Sequence, residues 1–219
     1  MITQAQLEQF TASKNDIRTY FRTPFQVNGH VFATNGHIAI VVHKFDGQPR
    51  IGEGKNEKTA AARLSKWLKE NQFNPANPLP EFNLPPKVTH TCTCCKGELK
   101  TKECQHCEGE GDLYTSHGHV RECTVCNRTG RVPHPKDEPE TDDTAPCYCC
   151  NDGIETEERD PVYIEGQCFS ADYIELIQAL PNVLFATGIT QLSDKPSYDL
   201  PAAKFTFDGG EGLLMPRTK

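Results

Sequence analysis

The sequence predicts an α+β fold, an antiparallel sheet with two helices, interrupted by a small, loop-rich insertion. Three observations carry this. Two Asn-Gly pairs, each set between β-prone runs, mark a series of hairpins near the start. Apolar residues at helical spacing mark one helix before the middle third and one after it. Between these, ten of the eleven cysteines crowd into residues 92 to 150. The two flanks share a composition that the middle lacks. The chain therefore reads as one domain in two parts, residues 1–88 and 156–219, with residues 89–155 inserted between them.

Taken in order, Thr3 with Gln6 fits a capping box, and Leu7 and Phe10 give a short first helix its apolar stripe. The runs Thr23 to Val27, His30 to Thr34 and His37 to Val42 are separated by Asn28-Gly29 and Asn35-Gly36, which predicts a three-stranded meander. His30, His37 and His43 fall along these strands as surface residues. A glycine-rich loop, Gly47 to Lys55, leads into Glu57–Asn71. There Ala61, Leu64, Trp67 and Leu68 recur at helical spacing, and Trp67 is expected in the core. Residues 74–87 hold five prolines and read as a stiff extended linker. A second polar linker, Pro133 to Pro146, contains the acidic residues Asp137, Glu138, Glu140, Asp142 and Asp143 and is expected to loop out. Beyond the cysteines, Val162–Ile164 reads as a strand. Ser170 can cap a helix over Ala171–Leu180, with Tyr173, Ile174, Ile177 and Leu180 inward and Pro181 ending it. Strands follow at Val183–Thr187, Lys204–Phe207 and, after the turn Asp208-Gly209-Gly210, Gly212–Met215.

Charge is distributed unevenly. Residues 1–88 carry 11 Lys and Arg against 7 Asp and Glu, whereas residues 89–155 carry 7 against 13 and residues 156–219 carry 5 against 10. A cysteine-rich finger that grips phosphates would be basic, so the middle third is a poor nucleic-acid binder. The +4 of the first part fits a surface that faces DNA, and a solvated lysine face explains it equally well. The first residues show neither a basic nor an apolar signal region, and no window reaches the roughly 18 apolar residues of a spanning helix. The expectation is a cytoplasmic protein with no membrane partner, in a compartment where cysteines stay reduced.

The cysteines fall into four pairs with two residues between: Cys92 and Cys95, Cys104 and Cys107, Cys123 and Cys126, Cys147 and Cys150. This spacing lets both thiolates of a pair reach one ion about 2.3 Å away. Glycines follow each pair at Gly97, Gly109 with Gly111, Gly130 and Gly153, where positive φ lets backbone amides turn toward sulfur. Zinc takes four such ligands, so four pairs make two closed, structural sites. Iron–sulfur ligation, a redox dithiol and a disulfide framework are the competing uses of the same residues.

The repeat Cys104-Gln105-His106-Cys107-Glu108-Gly109-Glu110-Gly111 resembles the Cys-x-x-Cys-x-Gly-x-Gly unit of the cysteine-rich zinc region of DnaJ-type co-chaperones. The other three pairs keep the register with fewer or displaced glycines. The resemblance implies that the outer pairs share one zinc, Cys92, Cys95, Cys147 and Cys150, and the inner pairs the other, Cys104, Cys107, Cys123 and Cys126. Cys94 and Cys149 sit beside outer ligands and could substitute for them.

The flanks resemble one domain of the bacterial DNA sliding clamp. Asp16-Ile17-Arg18-Thr19-Tyr20-Phe21, Ala33-Thr34-Asn35-Gly36-His37-Ile38-Ala39-Ile40-Val41, Gly166 to Ile177 and Leu213-Leu214-Met215-Pro216-Arg217 carry the similarity. Asn35 and Ile38 depart from the aspartate and arginine of that family's pattern. A clamp-like ring uses six such domains, so a ring of this chain would be a homo-oligomer around DNA.

No phosphate loop, nucleophile elbow or open metal site is present in the sequence, so a non-enzymatic interaction protein is expected, of bacterial or phage replication type. Its partner is a protein or peptide held by the zinc module, with DNA as a second candidate. The alternatives are chaperone-like binding of unfolded polypeptide by that module, and a thiol-disulfide oxidoreductase using Cys94, Cys149 or Cys168.

Overall fold

A computed structural model of the chain describes residues 2–14, 16–114, 120–147, 150, 152–189 and 201–217. They belong to two compact units, Met1–Pro85 with Arg159–Lys219, and Pro86–Glu158. The fold of the described residues is α+β, dominated by a large antiparallel sheet with three α-helices, one of them short.

The larger unit begins with α1 (Gln4–Glu8), closed by a reciprocal capping box between Thr3 and Gln6. Leu7 and Phe10 anchor it in the core. In the loop that follows, the Asp16 carboxylate accepts from the Arg18 amide (2.7 Å) and guanidinium (3.0 and 2.8 Å). Arg18 also donates to the Asn35 carbonyl at 2.9 Å, tying this loop to a distant turn. The meander is β1 (Phe25–Val27), β2 (His30–Thr34) and β3 (Ile38–Val42). Asn28 (φ 51°) and Gly29 (φ 80°) form the two-residue turn that Val27 opposite His30 requires. At the second turn the Asn35 side chain accepts from the amides of His37 and Ile38.

A short β4 (Arg50–Ile51) lies parallel to β1, and α2 (Lys55–Glu70) packs Ala61 and Leu68 against Phe25, Phe32 and Val41. Trp67 departs from the expected core position and is 47% exposed. One residue before Leu68, it is rotated about 100° from that buried position, at the margin of the apolar stripe. The proline-rich stretch is likewise not a free linker. It contains β5 (Asn77–Pro78), an edge strand where a proline costs no ladder bond, and its Leu79, Phe82 and Leu84 pack on the core.

Among its described residues the inserted unit holds seven short strands: β6 (Thr89–Thr91), β7 (Lys100–Glu103), β8 (Asp112–Tyr114), β9 (Val120–Glu122), β10 (Arg131–Pro133), β11 (Ala145–Pro146) and β12 (Ile154–Thr156). β6 pairs with β12, β8 with β9, and β7 lies between β10 and β11, all antiparallel. Among the described residues its two buried clusters are made of cysteines, with Leu113 and Val132 packed beside the inner one. The acidic stretch after Pro133 does not loop out. Lys100 binds Glu140, Lys102 binds Glu138, the Glu103 amide donates to Asp143, and His134 is buried. Opposite charge on the outer face of β7 draws the segment back.

The chain re-enters the larger unit at Arg159, whose buried guanidinium binds Asp172, Glu175 and the Pro85 carbonyl. The hairpin β13 (Val162–Ile164) and β14 (Gln167–Phe169) turns at Glu165-Gly166, both at positive φ. Next come α3 (Ala171–Gln178), with Ile174 and Ile177 buried, and β15 (Leu184–Ala186), β16 (Ala203–Phe207) and β17 (Gly210–Leu214). The eight-stranded sheet runs β4-β1-β2-β3-β17-β16-β15-β5, so the two halves of the sequence meet where β3 pairs with β17. Among the described residues no helix is long and apolar enough to cross a membrane.

Hydrogen bonds from the Arg18 guanidinium and then the Arg18 amide hold the Asp16 carboxyl at about 2, below its ordinary 3.8. Folding therefore favours the charged form. The stabilisation is complete above pH 3.8 and disappears as pH falls through 2. Asp16→Asn is expected to lower the melting temperature of the larger unit at pH 7, and that deficit should shrink as pH falls from 3.8 through 2; a deficit that stays constant over this range would assign the effect to the amide instead.

Candidate metal centres

Each cysteine pair sits in a knuckle entered from a strand: Cys92 and Cys95 after β6, Cys104 and Cys107 after β7, Cys123 and Cys126 after β9, Cys147 and Cys150 after β11. Every knuckle closes on residues with positive φ, Lys96-Gly97, Glu108-Gly109, Asn127-Arg128 with Gly130, and Asp152-Gly153. Two glycines of the inner knuckles, Gly130 and Gly111, admit no side chain. A Cβ on Gly130 would lie 2.1 Å from the Gly109 carbonyl oxygen, and one on Gly111 2.4 Å from that of Arg128.

The knuckles pair by a reciprocal pattern of backbone bonds. The Cys104 amide donates to the Gly130 carbonyl and the Cys123 amide to that of Gly111, each at 2.9 Å. Likewise the Cys92 amide donates to Gly153 and the Cys147 amide to Leu99, each at 2.8 Å. Leu99, at φ 67°, occupies the position that Gly111 holds in the inner knuckle. These bonds bring together Cys92, Cys95, Cys147 and Cys150 in one group and Cys104, Cys107, Cys123 and Cys126 in the other, with the sulfurs of each within 4.8 Å of one another.

Four sulfurs 2.3 Å from a tetrahedral zinc are separated by about 3.8 Å. The separations here are 3.8 Å for Cys92 and Cys147, 3.6 Å for Cys95 and Cys150, 3.9 Å for Cys104 and Cys123, and 3.7 Å for Cys107 and Cys126. Two separate, closed groups of four cysteines thus fit two structural zinc sites. No disulfide joins the described cysteines. Cys94 is buried against the outer group but is not one of its four converging sulfurs. Cys149 lies outside the described residues, and Cys168 is buried in β14 of the larger unit.

The thiols of each group are electrostatically unequal. Burial pushes Cys107 up to about 12, opposed by the Gly111 amide, which donates to its sulfur at 3.3 Å. At Cys123 burial also raises the thiol, but the amides of Cys126 and Val125 and the neighbouring thiols outweigh it and bring it down to about 7. In the outer group, burial drives Cys92 far above the usual thiol range and Cys150 to about 11. Cys95 is instead lowered against burial by the amides of Leu99 and Gly97 and by the facing thiols. The amides aimed at Cys123 and Cys95 favour the thiolate form that zinc ligation requires.

The outer site has a feature that the cysteine spacing does not signal. The Cys92 thiol donates to the Glu155 carboxylate at 3.0 Å, and the same carboxylate contacts His90 Nε2 at 3.0 Å and the Thr93 hydroxyl at 3.3 Å. His90 and Glu155 are opposed in the β6–β12 ladder, a register invisible from the separate sequence positions. An acceptor against a ligand sulfur opposes the thiolate, whereas the Gly111 amide at the inner site supports it. Comparison with protein-family models, curated proteins and solved structures finds no match.

Cys104→Ser should lose the inner zinc and keep the outer one, halving the metal released to a colorimetric chelator; loss of both would show that the sites form as one unit. Glu155→Gln replaces an acceptor beside Cys92 with a group that can donate to the thiolate. Zinc release from the outer site in a chelator chase should slow by roughly tenfold, and an unchanged rate would remove Glu155 from the site.

Proposed function

We propose that the chain is a non-catalytic interaction protein, a sliding-clamp-like scaffold that presents a DnaJ-type zinc module for protein binding in a replication setting. One observation supports protein binding by the inserted unit. The inserted unit buries cysteines in place of an aliphatic core, while Tyr114, Val120 and Val125 are 69, 56 and 58% exposed. Tyr114 and Val120 are cross-strand partners on the β8–β9 hairpin, so two of these apolar side chains form one patch on a metal-stapled element.

The chemistry of a suitable partner follows from charge. The module carries 7 basic against 13 acidic residues, and eight thiolates around two dications add about four further negative charges. A basic polypeptide segment with an apolar anchor suits that surface, and a phosphate backbone does not. Closed four-sulfur sites leave zinc no position for a substrate. Cys94 and Cys168 are buried, which does not suit a reactive thiol and weighs against the oxidoreductase reading.

A second reading is supported within the larger unit. A groove of about 400 Å³ between α2 and the sheet is lined by Phe21, Phe32, Leu64, Trp67 and Met215, with Arg63 at its rim. Its occupant would be an apolar peptide segment bearing an acidic residue.

Fluorescent peptides, one set basic with a Leu or Phe anchor and one acidic and apolar, separate the readings by anisotropy against zinc-loaded protein. The basic set should bind, with Tyr114→Ser weakening it at least about tenfold and Trp67→Ala leaving it unchanged. Binding of the acidic set alone, sensitive to Trp67, would transfer the function to the groove. Duplex DNA binding with a steep salt dependence, and no peptide binding, would overturn both.

A further inference from the structure

We propose that His30 and His43 form a third zinc site, open and chemically distinct from the two cysteine tetrads. Val31 pairs with Val42 in the β2–β3 ladder, which places His30 and His43 opposite each other at the next step. Residues opposed in an antiparallel pair share a face, so both imidazoles stand on the face that carries Phe32 and Val41. Both ends of the pair are fixed. The Asn28-Gly29 turn holds His30 in register with Val27, and the His43 amide donates to the Gly209 carbonyl at 2.9 Å.

The ring nitrogens make the case. Nδ1 of His30 lies 3.4 Å from Nδ1 of His43, with the rings edge to face at 83°. Two lone pairs at that distance repel unless a proton or a cation lies between them. A tetrahedral zinc bound to two imidazole nitrogens at 2.0–2.1 Å separates those nitrogens by about 3.3–3.4 Å, so the pair already has the bite of a bidentate ligand. The far side of His43 is arranged to match. Its Nε2 faces the Glu211 carboxylate at 3.8 Å, and the other oxygen of that carboxylate binds Lys204 at 2.7 Å. The carboxylate is too far from Nε2 for a direct hydrogen bond, but its charge stabilises the positive charge that a bound ion places on the ring.

Both histidines are solvent-exposed, so an ion between them keeps two positions for water or for a donor from outside the chain. The site therefore exchanges metal with solvent, unlike the closed tetrads.

The test is a calorimetric titration of Zn²⁺ into tag-free, full-length protein that already holds two equivalents. A third equivalent should bind more weakly than the first two. It should be lost in His30→Ala and in His43→Ala, both of which still hold two tightly bound zinc ions, and weakened about tenfold in Glu211→Gln. A titration that ends at two equivalents, or a third equivalent that survives in both histidine variants, overturns the proposal. Retention of the two tight ions and of the parent's circular dichroism shows that a variant has lost the site and not its fold.

Discussion

Sulfur occupies the interior of the inserted unit where aliphatic side chains would fill a larger domain. A segment of this size with so few buried apolar residues cannot offset the entropy of ordering its backbone by burial alone. Four sulfurs around one ion supply what the missing core would have supplied, because metal affinity in such a site is folding free energy. The cysteines are consequently buried while most of the unit's larger apolar residues remain outside. The short strands, the positive-φ turns and the reciprocal backbone bonds all serve one geometric end, eight sulfurs held at about the spacing of two tetrahedra.

The larger unit is built on ordinary terms. Leu7, Phe10, Ile38, Ile40, Phe169, Ile174, Ile177, Phe205 and Leu214 form one buried cluster drawn from both ends of the sequence. Its sheet closes only when β3 meets β17, strands separated by most of the chain. The insertion limits the cost of that separation through its own ends. β6 and β12 pair, and the Glu157 amide donates to the Val88 carbonyl at 2.9 Å, so the segment leaves and returns at nearly one point. To the host sheet, a 73-residue unit, Pro86–Glu158, then behaves as a short loop.

Local chemistry was legible in the sequence, and pairings across the chain were not. Asn28-Gly29 specifies its turn through the φ values that only a few residues tolerate, and Thr3 with Gln6 specifies a cap through donors that must be satisfied. The four Cys-x-x-Cys units announce metal, but their spacing does not say which pairs share an ion. That depends on amides reaching carbonyls in another knuckle. Proline and acidic residues misled for a related reason. Pro78 is acceptable in β5 because that strand is an edge, and Glu138 and Glu140 return to β7 because Lys100 and Lys102 await them. Glu155 beside Cys92, and His30 beside His43, need a strand register before either can be seen.

The two tetrads are nested, the inner one enclosed by the outer one along the chain. Sixteen positions separate Cys107 from Cys123, whereas fifty-two separate Cys95 from Cys147. Closing the longer span costs about 1 kcal/mol more in chain entropy. During synthesis the inner ligand set is complete once Cys126 has emerged, before the last two outer cysteines exist. Capture of zinc by the inner set shortens the span that the outer set must close. The nesting thus couples the two sites through the length of chain between them, the shorter closure easing the longer one.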